Sequence, residues 1–292
     1  MAKRLNKGKL SRYADSRSIP EPEVPVELCR KLAYAFESAH GWCIGEYAQA
    51  VASARPESCA GVLPINTGRC ICVGSPAFNF AVGLGIGKAV TTAELDEVED
   101  FFRSRELPPR IDITPYTDPG FLRMLTARGY GTSEFTSILC FDLKKELPSA
   151  PDPEGTEVKW ADATHCEAWV NVIVKCFFVT DPGPDRRAMM GTLFRTSSLM
   201  RVAAVCHGEV VGVASEMLPN NPDIAVIFGS AVLPEYRRRG IHSAMLRLRL
   251  ERARDSGCRM VAVSATPGSA SERNLIRCGF APCYEKITYA GK

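Results

Sequence analysis

The chain has 292 residues, a formal net charge of +3 and 46% hydrophobic residues. That length predicts two packed units of about 100–150 residues each. The charge is too small to mark a nucleic-acid binder, and no apolar run approaches the roughly 20 residues that span a membrane. Twelve cysteines at scattered intervals, with no CxxC pair and only four histidines, argue against a metal site. Without a secretory signal, the thiols are expected to be reduced and mostly buried, in a cytoplasmic protein.

Residues 1–24 are basic and lack the apolar core of a signal peptide. They are expected to form a disordered or extended tail that ends in a Pro-Glu-Pro-Glu stretch. A first unit over 25–145 follows, with helices near 26–53 and 92–105 and strands near 61–74, 78–86, 110–115 and 133–143. Cys70 and Cys72 fall in one strand and share a face. The run GLGIGK at 83–88 has the look of a phosphate loop, but its lysine is not followed by Ser or Thr as in a Walker loop. Thr92, with Leu95 and Asp96 after it, reads as a plain helix N-cap.

The charged, Pro- and Gly-rich stretch 143–158 contains the boundary, with a linker over 146–156. A second unit over 157–292 begins with a strand at 157–161 and a helix at 163–178. The polar bend TDPGPDRRAMMG leads to a helix near 186–197. Strands at 200–206 and 209–217 turn at His207-Gly208. A strand at 224–233, a helix at 239–256, a strand at 259–265, a helix at 269–277 and a strand at 281–289 complete the chain. His165 and His207 read as exposed, Trp160 and Trp169 as core, and Asn-Asn-Pro-Asp (220–223) as a turn.

The halves repeat weakly. RIDITPYTDPGFLRMLTARGY (110–130) and RMVAVSATPGSASERNLIRCGF (259–280) both read as strand, turn and helix, closing on a glycine and an aromatic. Setting Gly129 against Gly279 gives an offset of 150, which also pairs Ile111 with Val261, Ile113 with Val263, Leu125 with Leu275 and Tyr130 with Phe280.

The most informative stretch runs from Val232 to Ser243. The apolar run IAVIFGSAV (224–232) stops before Pro234, an arginine cluster with one glycine follows, and a helical apolar rhythm begins. A strand therefore delivers the backbone into a tight turn that opens a helix. The first amides of such a helix lack partners and carry the positive end of its dipole, which suits a phosphate. A capped helix on a basic surface is the plainer alternative.

With Arg237-x-x-Gly240 directly after that strand, the chain resembles the GNAT superfamily of acyl-CoA-dependent N-acyltransferases. Their signature, Gln/Arg-x-x-Gly-x-Gly/Ala, stands here as Arg237-Arg238-Arg239-Gly240-Ile241-His242, with His242 where Gly or Ala is usual. The resemblance implies an α/β fold of two tandem GNAT-like units, each a twisted mixed sheet flanked by helices. The first half, which lacks the charged turn, would be a degenerate copy without its own coenzyme site.

It further implies acetyl-CoA or another acyl-CoA as co-substrate. The pyrophosphate would lie on the amides from Arg238 to Ser243, among Arg237, Arg239, Gly240, Ile241 and His242. The pantetheine would run beside Ala231, Val232 and Leu233 where strands 224–233 and 259–265 splay, with the Val232 amide polarising the thioester carbonyl. Asn274 and Ser271 would stand near the thiol end, with Ser269 the more ordinary N-cap of their helix.

The family's glutamate base falls near Val226, where this chain has no acid. Glu216 is the best replacement, with a solvent-exposed strand end as its alternative; Asp223 reads first as part of a turn. The family's acid tyrosine falls on Leu275. Tyr284 is the substitute, with core packing as its alternative. Asp181, Asp185, Arg186 and Arg187 either read a charged acceptor or form a solvated loop. The expected acceptor is a small-molecule amine, with no metal, membrane or nucleic acid involved. Two rivals stay open: a non-catalytic acyl-CoA-binding module, and an acyl carrier protein as donor through the Arg237–Arg239 patch.

Overall fold

The computed structural model describes residues 26–74, 78–150, 152–219 and 223–291. The expected tail over 1–24 lies outside them, as do Asn220, Asn221 and Pro222 of the expected turn. The first half contains α1 (Val26–Ala54), β1 (Gly61–Ile65), β2 (Gly68–Cys72), β3 (Phe80–Val82), α2 (Thr92–Arg103), β4 (Arg110–Ile113), α3 (Pro119–Ala127) and β5 (Gly131–Asp142). The second contains β6 (Thr156–Trp160), α4 (Cys166–Phe177), α5 (Pro184–Arg195), β7 (Leu199–Cys206), β8 (Glu209–Met217), β9 (Ile224–Val232), α6 (Ile241–Asp255), β10 (Met260–Ala265), α7 (Ala270–Arg277) and β11 (Ala281–Ala290).

Two expectations are corrected in detail. The stretch 61–74 is a hairpin and not one strand, because Asn66 takes a left-handed φ of 52° and reverses the chain. Gly68 follows because nothing larger fits: a Cβ there would stand 2.0 Å from the Val82 carbonyl oxygen. The strand expected over 78–86 ends at Val82, since Gly83, Gly85 and Gly87 all have positive φ and curl the backbone away from the sheet.

The eleven strands among the described residues join in one sheet, in the order β1-β2-β3-β4-β11-β5-β10-β9-β8-β7-β6. The last strand of each half is exchanged. β5 lies between β10 and β11, and β11 lies between β4 and β5. Gly131 pairs with Ala290 and Cys140 with Ala281. The offset of 150 carries residue 131 onto 281 and 140 onto 290, so the central strands meet as copies about a local two-fold axis.

One face of the sheet carries α1, α4 and α5 over a single apolar core fed by both halves, including Phe36, Tyr47, Trp169 and Val226. On the other face, α2 and α3 cover one core around Leu95, Phe102 and Phe121, and α6 and α7 cover another around Leu246, Leu250 and Leu275.

A buried polar cluster fastens the exchanged β11. Lys286 Nζ lies 3.2 Å from Glu37 Oε2 of α1 and 2.8 Å from Asp112 Oδ2 of β4. Thr288 Oγ1 donates to Asp112 Oδ1, and the Tyr284 hydroxyl donates to Glu37 Oε1, each at 2.7 Å. Burial tends to discharge Lys286, but Asp112 and Glu37 outweigh it and raise its pKa. Burial also raises the Glu37 carboxyl. Two carboxyls about one ammonium leave one negative charge in excess, and Asp112 pushes Glu37 in the same upward direction.

Candidate coenzyme cleft

β9 and β10 pair in parallel from Ile224↔Met260 to Val226↔Ala262, and there the pairing ends. Both strands continue, so they splay. On its other edge β9 stays paired with β8, with a register shift between Val213 and Ser215. Gly229, at a φ of +62°, takes up that bulge. The Leu233 amide donates to Val211 of β8 at 2.9 Å. Strand alternation turns the neighbouring Val232 amide to the opposite, unpaired edge.

One turn of 3-10 helix, Pro234–Tyr236, carries the chain from β9 to α6. Arg238 (φ 64°) and Gly240 (φ 79°) are both left-handed, and the α6 N-terminus has no side-chain cap. The first-turn amides are therefore left for an outside acceptor, at the positive end of a 15-residue helix. Gly212 lets this turn approach the sheet; a Cβ there would stand 3.1 Å from Ile241 Cγ2 and 3.2 Å from Ala204 Cβ.

These features line a cleft of about 410 Å³. Nine expected coenzyme residues border it: Ala231, Val232, Arg237, Arg238, Gly240, Ile241, His242, Ser243 and Asn274. Leu233 and Arg239 do not. Leu233 is buried, and the Arg239 guanidinium sits 5.0 Å from the Tyr236 ring and donates to the Glu235 carbonyl. Arg237 borders the cleft but spends its Nε on the Val232 carbonyl at 3.0 Å, so it braces the turn. Ser269 does cap α7, accepting from the Glu272 amide.

His242 is half-buried against α7. Asn274 Nδ2 donates to its Nδ1 at 2.7 Å, and Arg277 donates to Asn274 Oδ1 at 3.0 Å. Burial and the charge on Arg249 push the imidazole down to about 4. The ring is neutral near pH 7, with Nδ1 accepting and Nε2–H free to donate.

Arg249 and Arg277 were missed from sequence. Arg249 is 1% exposed; it donates to the Met245 and Ser215 carbonyls and to Ser230 Oγ at 3.0 Å, holding the bulge of β9. A signal existed. Ile241, Met245, Leu246, Arg249, Leu250 and Ala253 form one buried helical stripe, so a charge at 249 was in a core position. Arg277, one turn after Asn274, adds a cation to the cleft.

The two expected proton-transfer residues are placed elsewhere. Glu216 faces α6, fully enclosed, with Oε2 3.3 Å from Arg252 and Oε1 without a hydrogen-bond partner. Burial pushes its carboxyl up to about 7, against the pull of Arg252 and Arg249. It borders neither the cleft nor the cavity described next, because alternation along β8 turns Ser215, and not Glu216, to the α4 face. Tyr284 sits in the Glu37 cluster, its pKa held up by burial and by that carboxyl. Its hydroxyl lies under α1 and away from the cleft.

A second cavity, about 550 Å³, opens on the α1–α4–α5 side of β9. Phe177 borders both cavities, and the neighbours Gly229 and Ser230 border one each, so they meet at the bulge. Asp181, in the bend before α5, pairs with Arg187 of that helix at 2.6 Å, and Asp185 in its first turn pairs with Arg55 at 2.9 Å. Only Arg186 of the four expected acceptor-reading residues borders this cavity.

In the first half the matching helix end is closed. The N-cap of α2 is Thr91, one residue before the expected Thr92; its hydroxyl accepts from the Glu94 amide, while the Glu94 carboxylate accepts from the Thr91 amide at 2.8 Å. Glu94 also holds Lys88 and Asn66 and is pulled down to about 2, chiefly by the Thr91 amide. The GLGIGK loop is likewise occupied, with the Gly85 amide donating to Asn66 Oδ1. The chain's own carboxylate stands where an anion would bind.

Comparison with known proteins agrees with this geometry. Residues 166–280 match the family model described as acetyltransferase (GNAT) family. No curated protein sequence matches the chain. Among solved structures, a GCN5-related N-acetyltransferase from Kribbella flavida is similar at 15% identity and a TM-score of 0.59, covering 84% of this chain and 95% of that one. A tandem GNAT protein from the clavulanic acid biosynthesis pathway is similar at 14% identity and a TM-score of 0.58, covering 85% and 94%. A GCN5-related N-acetyltransferase from Sphaerobacter thermophilus is similar at 16% identity and 0.56, covering 88% and 92%. Residues 166–280 of the second half thus match a GNAT acetyltransferase domain, in a chain with the fold of tandem GNAT proteins.

Proposed function

We propose that the chain moves a short acyl group, acetyl in the simplest case, from coenzyme A to the amine of a small molecule. The observation that carries this reading is the uncapped first turn of α6, opening into the cleft where β9 and β10 stop pairing. The diphosphate would lie on the amides of Ile241, His242 and Ser243, with Arg238 and Arg277 beside it and the neutral His242 donating through Nε2. The pantetheine would follow the open edge of β9 and bring the thioester carbonyl to the Val232 amide.

The amine nitrogen attacks the thioester carbon from the Gly229 side. A C–N bond forms, the C–S bond breaks, and sulfur leaves as thiolate. The proton shed by nitrogen passes through water and ends on the thiol. Among the described residues no carboxylate borders either cavity. Rate enhancement therefore rests on holding a neutral amine against a polarised thioester. The first half would act as scaffold, since Glu94 fills its helix end and Tyr47 of α1 walls the acceptor side.

The test is thiol release from acetyl-CoA across a panel of amines, with calorimetry of coenzyme A on the same protein. Coenzyme binding with amine-dependent release supports the proposal. Binding without release by any amine leaves an acyl-CoA-binding module, and release only from an acylated carrier protein transfers the donor role to the carrier. Arg237 and Arg239 are hydrogen-bonded to the chain's own backbone, which favours the free nucleotide over the carrier.

A further inference from the structure

The cavity beyond the bulge has a composition that selects its ligand. Six of its thirteen bordering residues are aromatic, and two more are Met189 and Met190. Among the described residues Arg186 is the one charged residue that borders it. The Tyr47 hydroxyl is spent on the Met189 carbonyl at 3.0 Å. Two polar atoms of the lining residues are buried and lack a partner among the described residues: Trp169 Nε1 and Ser215 Oγ, each on a residue 1% exposed.

Such atoms cost about 1–3 kcal/mol each when left unpaired, so they call for a hydrogen-bonding ligand. Ser215 Oγ adjoins the bulge. A Cβ on Gly229 would stand 3.5 Å from it, and the left-handed φ there disfavours any side chain that would cover it. A ligand reaching Ser215 therefore lies next to the position proposed for the thioester.

We infer that the acceptor is an amine with a ring-sized apolar body and an anionic group, such as a carboxylate. The inference rests on the acyl-transfer reading above. The aromatic and thioether walls take the body, Arg186 takes the anion, and Trp169 N–H and Ser215 Oγ hydrogen-bond to ligand oxygens. Polycationic aminosugars and polyamines are excluded: the apolar walls would leave their hydroxyls and ammonium groups unpaired, and Arg186 would repel them. A plain fatty acyl chain fits the walls but leaves Trp169 and Ser215 unsatisfied. Asp181 and Asp185 do not cancel the selection, since Arg187 and Arg55 neutralise them.

The experiment uses the full chain with acetyl-CoA and four probes: phenylalanine, phenylalaninamide, spermidine and kanamycin. Calorimetry of N-acetylphenylalanine against the coenzyme-A-saturated protein adds a readout independent of turnover. Phenylalanine is expected to exceed the other three in kcat/KM, and N-acetylphenylalanine to bind. Arg186→Glu suits the first turn of α5, where a carboxylate favours the helix. It is expected to lower the preference for phenylalanine over its amide by about tenfold or more while coenzyme affinity holds. If spermidine or kanamycin is preferred, if N-acetylphenylalanine fails to bind, or if Arg186→Glu leaves the preference unchanged, this assignment is overturned while the transferase reading stands. Loss of coenzyme binding in the unmodified protein would instead overturn the transferase reading itself.

Discussion

Asn274 Nδ2 lies 2.7 Å from His242 Nδ1, which ties the residue that departs from the family pattern to α7 on the far wall of the cleft. The imidazole takes the room a glycine would leave, yet its Nε2–H would still offer the proposed diphosphate a donor. With its pKa depressed to about 4 from 6.5, His242 binds its proton less readily in the folded chain than in the unfolded one. Its neutral form contributes stability in full above pH 6.5, and that contribution is lost as pH falls through about 4. A nuclear-magnetic-resonance titration is expected to find the His242 midpoint near pH 4, moving upward when coenzyme A is added. A midpoint at 6.5 in both states would mean that the ring is not enclosed and does not face the diphosphate.

The two halves suggest how to switch a coenzyme site off. Glu94 closes α2 with a carboxylate, whereas Gly240 leaves α6 open. Gly240→Asp places a carboxylate at the α6 N-cap, where it accepts from the same amides and repels a diphosphate. Asp tolerates the left-handed φ of 79° better than most residues, so the fold should persist. Coenzyme A affinity is expected to fall by about a hundredfold or more, roughly 3 kcal/mol, with an unchanged circular-dichroism spectrum. The unmodified chain should bind one coenzyme A. A second equivalent would show that Glu94 does not close the first half.

The same comparison explains what could be read from sequence. Elements were legible because apolar periodicity and turn residues reported them: α4, α6, α7 and β7 to β11 fall within two or three residues of expectation. The offset of 150 anticipated that the halves are copies. It did not reveal that β5 and β11 change places, because each strand keeps the same alternation whichever neighbour it pairs with. The candidate cleft is built largely from backbone at a motif, and most of the motif residues expected there do border one cleft. The assignments of Glu216 and Tyr284 rested on side chains whose face depends on packing. One residue of alternation sends Glu216 under α6 and Ser215 to the cavity beside α4.

Glu216 is therefore expected to report on stability and not on chemistry. Its pKa rises to about 7 from 4.5, so the protonated form is the one the fold prefers. That preference is fully expressed below pH 4.5 and is lost as pH rises through about 7, at a cost of at most about 3 kcal/mol. Glu216→Gln keeps an acceptor for Arg252 and cannot ionise. Its urea midpoint should stay level between pH 5 and pH 8, where that of the unmodified protein declines, and its turnover should be retained. A large loss of kcat with coenzyme affinity intact would return Glu216 to the reaction.

The cluster on β11 separates folding from catalysis in the same way. Tyr284→Phe removes one hydrogen bond and leaves Glu37 Oε1 unpaired, a cost of about 1–3 kcal/mol. Lys286→Met is harsher, because it strands Glu37 and Asp112 with no cation between them; about 3–5 kcal/mol is expected, enough to threaten folding. The exchanged strand joins the halves, so both losses should appear in one cooperative urea transition and not as separate unfolding of the second half. Tyr284→Phe should turn over as the unmodified protein does, since the hydroxyl lies under α1 and outside both cavities. If that variant folded with full stability but lost its alkaline pH limb of kcat, the phenol would be the proton donor to the leaving thiolate, and the cluster would have to open during the reaction.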